Sequence, residues 1–398
     1  MFASDLIIHK HTGESRAPPK AKFVLIRNHV TPLLANTASF FGAMGNTKST
    51  DSFRITDTQT GYSELNEQRN MVGCISISRD EAVFVSARDK LIDLWDAKLY
   101  DKIATLESHT DQITGLCLSP DRELMASGAA DGTIRIWAKP GGRWACIDVL
   151  RNNHAGWAWT VSWLRDIGFV SGGTDGQLIF WQVSTSGCVT QLMASHCHEK
   201  SITGVCVIPL PLKLYIVSVS NDSGIVVNEL SKARTGELEL NFVKRISGHV
   251  GEIYTVDGYT FPNNNGSIFV SCGEDKTVRI WSLSDVTATE SSVISTTVPH
   301  VVFSCDTPVY CVKLSHDGRF VVAGGEDTLH IFKTPIPFLR TEAMKTDRVK
   351  LKKLSGGIRS VIWGHKNSVI YVGLDHGSIS AISVPSKYHR PKLLHSPS

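Results

Sequence analysis

An internal repeat dominates this sequence of 398 residues and restricts its fold more than any other feature. Four segments share one template: an apolar strand that ends in small residues, a short turn that carries Asp, and an alternating strand that ends in Trp. The Asp and the Trp lie six residues apart in each of these four copies. The copies are VFVSARDKLIDLWD (83–96), LMASGAADGTIRIW (124–137), GFVSGGTDGQLIFW (168–181) and IFVSCGEDKTVRIW (268–281).

Three weaker copies complete the series but lose the Trp. Asp222 is followed by Asn228, Asp327 by Phe332, and in the last copy His376 stands at the Asp position. The seven turns, at 89, 131, 175, 222, 275, 327 and 376, follow one another at intervals of 42 to 53 residues. This interval suits about 40–45 residues of a four-stranded unit plus loops, so we predict seven four-stranded sheets.

A histidine precedes the Asp by 21 to 26 residues in four of the copies, at His109, His154, His198 and His249. This pattern resembles the WD-repeat β-propeller family over roughly residues 58–385, and the WD dipeptide itself occurs at Trp95-Asp96. The resemblance implies an all-β fold, a single seven-bladed β-propeller of four-stranded antiparallel blades. A single such sheet cannot bury both of its faces, so the blades must pack against one another around an axis.

In that family the His, Ser or Thr, Asp and Trp of one blade are hydrogen-bonded together. A buried Asp needs such partners, because an unpaired carboxylate inside a protein is costly. These sets look like catalytic triads in the sequence, but a nucleophile would not be repeated in every blade. We therefore interpret them as structural tetrads and expect blades four, six and seven, which lack the full set, to be the least stable. The tetrads are His109, Ser127, Asp131 and Trp137; His154, Ser171, Asp175 and Trp181; and His249, Ser271, Asp275 and Trp281.

The ends of the chain lie outside the repeat. Residues 58–67 are expected to supply the outer strand of the last blade, which removes a free sheet edge. Residues 1–57 are predicted to be an irregular, flexible segment, and 386–398 a basic tail. The run from Met44 to Ser49 fits a signal for N-myristoylation of Gly45, which functions only if translation starts at Met44 rather than Met1. The alternative is a coincidental match, and without that lipid no membrane contact is expected.

Composition excludes several classes of protein. The net charge of +3 is too small to indicate nucleic-acid binding by itself, and DNA is not expected as a partner. No apolar run approaches the 18 residues of a membrane span, and the first residues lack the apolar core of a signal peptide. Nine cysteines without a CxxC pair favour a reducing compartment, the cytoplasm, with the nucleus as the alternative.

The sequence contains no motif of a known catalytic chemistry. P-loop, GxSxG, HExxH and dinucleotide-binding signatures are missing, so we expect no enzyme activity and no cofactor. The densest group of possible metal ligands is His196-Cys197-His198. A structural zinc site needs a second pair of ligands at a suitable spacing, which the sequence does not offer, so no metal is expected. An enzyme built on a propeller scaffold is the least favoured alternative.

A binding surface is the remaining candidate. In the family the partner usually meets the face that carries the d–a and b–c loops, and the register of the inner strands aims two Trp residues of HAGWAWTVSW (154–163) at that rim. Trp, Tyr and Arg are enriched in interface hot spots. A peptide with a Lys or Arg and an apolar group would suit this sector, although the Trp residues could instead pack under a loop. The predicted partner-binding residues are Trp157, Trp159, Tyr254, Tyr310, Arg359, Glu252, Glu274 and Arg88.

These features predict a non-enzymatic scaffold that binds proteins or peptides, within a multiprotein complex. One alternative is a ribosome-associated scaffold, since VSCGEDK (270–276) resembles the receptor for activated C kinase. Another is a substrate receptor of a ubiquitin ligase, although Trp95-Asp96-Ala97-Lys98 departs from the W-D-x-R pattern of that group. The basic stretch RVKLKKL (348–354) is typical of an outer strand with a solvated face. The alternative interpretation is a contact surface for an acidic partner or RNA.

Overall fold

The computed structural model describes residues 71–384, apart from 166, 185–186, 212, 234–235, 263–265, 288–298, 335–348, 351–355 and 365. These residues form seven antiparallel sheets, each with its strands paired in chain order, so the predicted all-β seven-bladed propeller is confirmed. The strand predicted from 58–67, the segments 1–57 and 386–398, and Gly45 lie outside the described residues. No helix in the described part is long and apolar enough to cross a membrane.

Blades one to three contain the strands β1 (Val72–Ile77), β2 (Val83–Arg88), β3 (Leu91–Asp96) and β4 (Lys102–Glu107); β5 (Ile113–Leu118), β6 (Leu124–Ala129), β7 (Ile134–Ala138) and β8 (Ala145–Leu150); and β9 (Ala158–Leu164), β10 (Gly168–Gly173), β11 (Gln177–Val183) and β12 (Val189–His196). A single 3₁₀ turn, Pro140–Gly142, precedes β8.

Blades four to seven contain β13 (Ile202–Pro209), β14 (Leu214–Ser220), β15 (Ile225–Lys232) and β16 (Leu238–Ile246); β17 (Ile253–Thr260), β18 (Ser267–Gly273), β19 (Thr277–Ser282) and β20 (Val301–Ser304); β21 (Cys311–Leu314), β22 (Phe320–Gly324), β23 (Leu329–Lys333) and β24 (Val349–Lys350); and β25 (Ile358–Gly364), β26 (Val369–Leu374) and β27 (Ile379–Ser383). Helix α1 (Leu283–Thr287) follows β19. The basic stretch thus supplies β24, an outer strand that pairs with β23.

The first strands of the blades form an inner ring that closes on itself. Each of β1, β5, β9, β13, β17, β21 and β25 contacts the next, and β25 contacts β1. At the closure the Ser360 hydroxyl donates a hydrogen bond to the Val72 carbonyl at 3.0 Å, and the Tyr371 hydroxyl donates to the Ala97 carbonyl at 3.1 Å. The described strands of blade seven therefore bind blade one directly.

The hydrophobic core is divided among the seven junctions between blades. Each of the seven clusters of buried apolar side chains draws on two neighbouring sheets, from blades one and two round to blades seven and one. Strand β11 shows the origin of this arrangement, because its residues alternate: Leu178 and Phe180 pack toward blade four, Ile179 and Trp181 toward blade two. Both faces of each sheet are buried by its neighbours, as the alternation of side chains along a strand requires.

The structure brings the predicted tetrad residues together in blades two, three and five. In blade two, His109 Nδ1 lies 2.9 Å from Asp131 Oδ2, and His109 Nε2 lies 2.8 Å from the Ser127 hydroxyl, which accepts the indole N–H of Trp137 at 2.9 Å. Since a carboxylate only accepts, the imidazole donates from Nδ1, and its Nε2 accepts from Ser127. The same chain runs from Asp175 to Trp181 and from Asp275 to Trp281.

Blade four keeps most of this network without the Trp. His198 contacts Asp222 at 3.0 Å and Ser218 at 2.9 Å, while Asn228 fills the Trp position and its amide lies 3.6 Å from Cys197 Sγ. Blade one keeps the Trp but lacks the His: Trp95 donates to the Ser86 hydroxyl at 2.9 Å, and no His precedes the turn at Asp89 at the spacing of the other blades. The expectation that the incomplete blades are the least stable stays a prediction.

Removing the central hydroxyl of a tetrad should destabilise the propeller. We expect Ser127→Ala to lower the free energy of unfolding by about 2 to 4 kcal/mol, because it leaves the buried Nε2 of His109 and the indole N–H of Trp137 without partners. Urea denaturation followed by Trp fluorescence measures the loss. Ser284→Ala is the matched control, since among the described residues that exposed hydroxyl contacts only the Ser282 hydroxyl. An equal, small effect of both changes would contradict a structural role for the tetrad.

Stability should also fall on acidification. Burial lowers the pKa of His109 and of His154 below the ordinary value of about 6.5. Burial of Asp131 opposes its ionisation, but hydrogen bonds from His109 and Thr133 outweigh this and hold its pKa below the usual range. Groups with a depressed pKa stabilise the fold above their unfolded pKa and lose that contribution as the pH falls.

We therefore expect the free energy of unfolding to decrease from about pH 6.5 downward, and more steeply below about pH 4, where the tetrad carboxylates are protonated in the unfolded chain. Urea denaturation at a series of pH values between about 8 and 3 measures both effects. A stability that is constant or rises between pH 7 and 5 would show that the buried imidazoles do not control it.

Candidate functional site

One end of the central ring is shaped by a repeated β-bulge. In six blades the pairing between the first two strands shifts by one residue at the start of the inner strand. A bulge leaves one residue unpaired and re-aims its side chain, and such bulges are frequent at the rims of closed sheets. The unpaired residues are Gly73, Thr114, Trp159, Thr203, Tyr254 and Arg359.

The seventh member of this ring, Tyr310, immediately precedes β21 and donates its backbone N–H to Gly324 at 2.8 Å. Four of these seven positions are among the partner-binding residues predicted from the sequence: Trp159, Tyr254, Tyr310 and Arg359. The hydroxyls of the two Thr residues link neighbouring blades by hydrogen bonds. Thr114 donates to the Ala158 carbonyl at 2.9 Å, and Thr203 donates to the Ile253 carbonyl. The aromatic and charged members are left to define the surface, which we call the bulge rim.

The two Trp residues of blade three form a stacked pair on the bulge rim. Their ring centroids are 5.4 Å apart with an interplanar angle of 10°. Trp157 is 43% exposed, whereas Trp159 is half-buried beneath it. The Trp157 backbone N–H donates to the Thr174 hydroxyl at 3.0 Å, which fixes the loop that carries it. The pair therefore presents a flat apolar surface to solvent, and Trp157 is not packed under a loop.

A second aromatic group covers blades five to seven, on the far side of Thr203. The rings of Tyr254 and Tyr310 lie 5.6 Å apart at 32°, and the Arg359 guanidinium lies 4.3 Å from the centre of the Tyr310 ring. The Arg359 Nε is buried and has no hydrogen-bond partner among the described residues. This internal cation–π contact occupies one face of Tyr310, so a cationic ligand cannot use that face.

Two acidic residues lie beside Tyr254. Glu274 is exposed, and its Oε2 accepts the backbone N–H of Glu252 at 3.1 Å. Burial raises the pKa of the Tyr254 hydroxyl, and the negative charges of Glu274 and Glu252 raise it further, while Arg359 opposes them. The blade-five sector of the rim therefore carries net negative charge near an aromatic ring, and the blade-seven sector carries a positive charge.

Arg88, which the sequence also assigned to this face, is engaged elsewhere in its own blade. Its Nε lies 3.5 Å from Asp93, a carboxylate that also accepts from Lys102 at 2.9 Å and from Thr105 at 2.7 Å. Sequence reasoning missed this buried Asp93. The sequence feature that could have indicated it is its position in the repeat. Asp93 stands two residues before the blade-one Trp, where blades two and five carry Arg135 and Arg279.

The cysteine and histidine residues give no metal site in the described part of the chain, where no three His, Cys, Asp or Glu side chains come together. Of the cluster His196-Cys197-His198, the last residue belongs to the blade-four network. The recurrent inner-strand cysteines are unpaired thiols, and burial raises the pKa of Cys74 and of Cys117 to about 12. They are therefore poor nucleophiles at neutral pH.

Comparisons with known proteins agree with this geometry. A family model described as the WD domain, G-beta repeat, matches residues 100–138, 240–282 and 295–333. The chain is 25% identical over 286 residues to "Pre-mRNA-processing factor 19" of Oryza sativa subsp. japonica, which covers 70% of this chain and 49% of that protein. It is 25% identical over 193 residues to "Pre-mRNA-processing factor 19 homolog 2" of Arabidopsis thaliana, covering 47% and 34%.

A third relative, the "Nuclear distribution protein nudF" of Emericella nidulans, is 29% identical over 211 residues, which are 47% of this chain and 43% of that protein. The chain thus spans about half, or less, of the length of these curated relatives. The matched repeats, the seven sheets and the closed inner ring lead to one conclusion: the chain carries WD repeats and folds as a seven-bladed β-propeller.

Proposed function

We propose that this propeller is a non-enzymatic scaffold that holds a segment of a partner protein on the bulge rim. The WD-repeat propeller supports a role in protein interaction, and the relatives whose names refer to pre-mRNA processing support work within a multiprotein complex. We place the protein in the cytoplasm, with the nucleus as the alternative that those relatives suggest.

The observation that carries this proposal is the stacked pair of Trp157 and Trp159. A 43% exposed Trp held in one orientation by a second ring is costly in water unless a partner covers it. Two rigid aromatic side chains also lose little conformational entropy on binding, so they supply affinity efficiently. This is the behaviour of an interface anchor rather than of a core residue.

The rim chemistry restricts the partner segment. An apolar side chain fits the Trp pair, and a Lys or Arg fits the exposed carboxylate of Glu274 in blade five. The face of Tyr310 is already covered by Arg359, so the ligand cation belongs on the blade-five side rather than over Tyr310. A basic and apolar peptide that runs from blade three across blade four to blade five satisfies both groups.

Copurification from the protein's own cells tests this proposal. We expect the doubly substituted Trp157→Ala, Trp159→Ala chain, carrying a C-terminal tag, to lose partners that the wild-type chain retains, and purified partners to bind it at least about tenfold more weakly. The matched control is Phe242→Ala, which removes a 60% exposed aromatic side chain from the outer strand β16.

Both variants should unfold at the wild-type urea concentration, which separates loss of binding from loss of fold. If the Trp variant keeps the wild-type set of partners, the bulge rim is not the interface. If the Trp and Phe variants lose the same partners, binding depends on exposed aromatic area in general and not on this site.

A further inference from the structure

The opposite end of the propeller carries a second unusual surface, at the turns between the first and second strands of the blades. In blades one, two and six this turn is polar and closed by its own side chains, because a Ser hydroxyl donates to the carboxylate two residues later at 2.5–2.8 Å. Such a turn satisfies its polar groups and faces water without cost. The pairs are Ser78 with Asp80, Ser119 with Asp121, and Ser315 with Asp317.

Blade four replaces this polar turn with an apolar one. Strand β13 ends at Pro209, and Leu210 and Pro211 follow it in the turn. The Leu210 N–H donates to the Lys213 carbonyl at 2.9 Å and closes the turn. Leu210 is only partly buried against the neighbouring core, and Pro211 is exposed. The rings of Pro209 and Pro211 fix their backbone φ angles, so the backbone of this turn has little freedom to bury its apolar side chains.

Two grooves flank the apolar turn, and both are lined by Leu210, Pro211 and Arg165. One, of about 440 Å³, lies between this turn and the blade-five residues Thr260, Phe261, Gly266, Ser267, Leu283, Ser284 and Thr287. The other, of about 370 Å³, lies between the turn and Leu230, Lys232 and Leu238 of the same blade. The turn is thus a ridge between two grooves, and Arg165 stands where they meet.

The charged residues that line the two grooves have one sign. Among the described residues, the grooves are lined by Arg165, Lys213 and Lys232 and by no Asp or Glu. Lys213 is neutralised in part by Glu229 at 2.7 Å. Arg165 and Lys232 are exposed, and neither has an acidic partner within 4 Å in the part of the chain that the structure describes. Their charges are therefore available to a ligand.

We infer that this surface, lined by Arg165, Lys232, Lys213 and the residues 209–211, binds an extended acidic segment of a partner protein. Apolar side chains of the segment enter the grooves on either side of the ridge, and a carboxylate meets the guanidinium of Arg165, which forms paired hydrogen bonds with carboxylates. The site is separate from the bulge rim, so the propeller holds two partner segments of opposite charge at its two ends.

The shape favours a peptide over other anions. A flat membrane surface cannot enter grooves on both sides of a ridge. Stacking of nucleic-acid bases needs exposed aromatic faces, but the aromatic lining residues Tyr215 and Phe261 are only 5% and 8% exposed. Apolar walls with a few basic groups fit a chain in which acidic and apolar side chains alternate.

A random library of 12-residue peptides displayed on phage, selected on the immobilised full-length chain, tests the inference. We expect one family of selected peptides to combine acidic and apolar residues. Synthetic peptides of this family, measured by fluorescence polarisation, should bind Arg165→Glu and Lys232→Glu at least tenfold more weakly than wild type, and their affinity should fall as salt is raised.

The control is Arg143→Glu, which reverses an exposed arginine in the turn before β8 and should leave the affinity unchanged. Trp157→Ala, Trp159→Ala should also leave it unchanged, so failure here and failure of the bulge-rim proposal are separate results. Selection without acidic peptides, or acidic peptides that bind Arg165→Glu as tightly as wild type, would overturn the inference. So would binding of oligouridylate or phosphatidylserine vesicles that depends on Arg165 when no acidic peptide binds.

Discussion

Packing between neighbouring blades is the interaction on which this structure depends. Every sheet carries apolar side chains on both faces, and each of the seven clusters of buried residues joins two successive blades. A single blade would leave both faces in water, so the blades are stable only as members of a closed ring. The contact between Phe84 of blade one and Tyr371 of blade seven, with centroids 4.5 Å apart, is the last junction of that ring.

The polar tetrads fix the geometry that this apolar packing leaves open. Apolar burial has no direction, whereas in blades two, three and five the chain from Asp through His and Ser to Trp ties the turn before the blade to its second and third strands. The histidine side chain in each of these tetrads is almost completely buried, so the network forms only in the folded state and only while the imidazole is neutral. We therefore expect the free energy of unfolding and its pH dependence to arise from the same side chains.

Closing the ring leaves two ends with different chemistry. At one end the bulges turn one residue in each of six inner strands toward the rim, and the aromatic residues gather there with Glu252, Glu274 and Arg359. At the other end the strand turns meet solvent, and residues 209–211 with Arg165 and Lys213 give blades three to five an apolar and basic surface. The two proposed sites lie at opposite ends of the ring, so their partners need not compete.

The sequence by itself determined the number of blades and the tetrads of blades two, three and five, and it predicted the aromatic residues of the rim, since each follows from a local repeat whose spacing is visible along the chain. Only the tertiary structure decided which rim side chains meet. The stacking of Trp157 on Trp159 joins residues two apart in the chain, but the contact of Arg359 with Tyr310 joins residues of different blades. The pairing of Arg88 with Asp93 and the meeting of two grooves at Arg165 were likewise not visible in the repeat. A repeat specifies each blade separately, whereas such contacts depend on which side chains adjacent blades happen to place against one another.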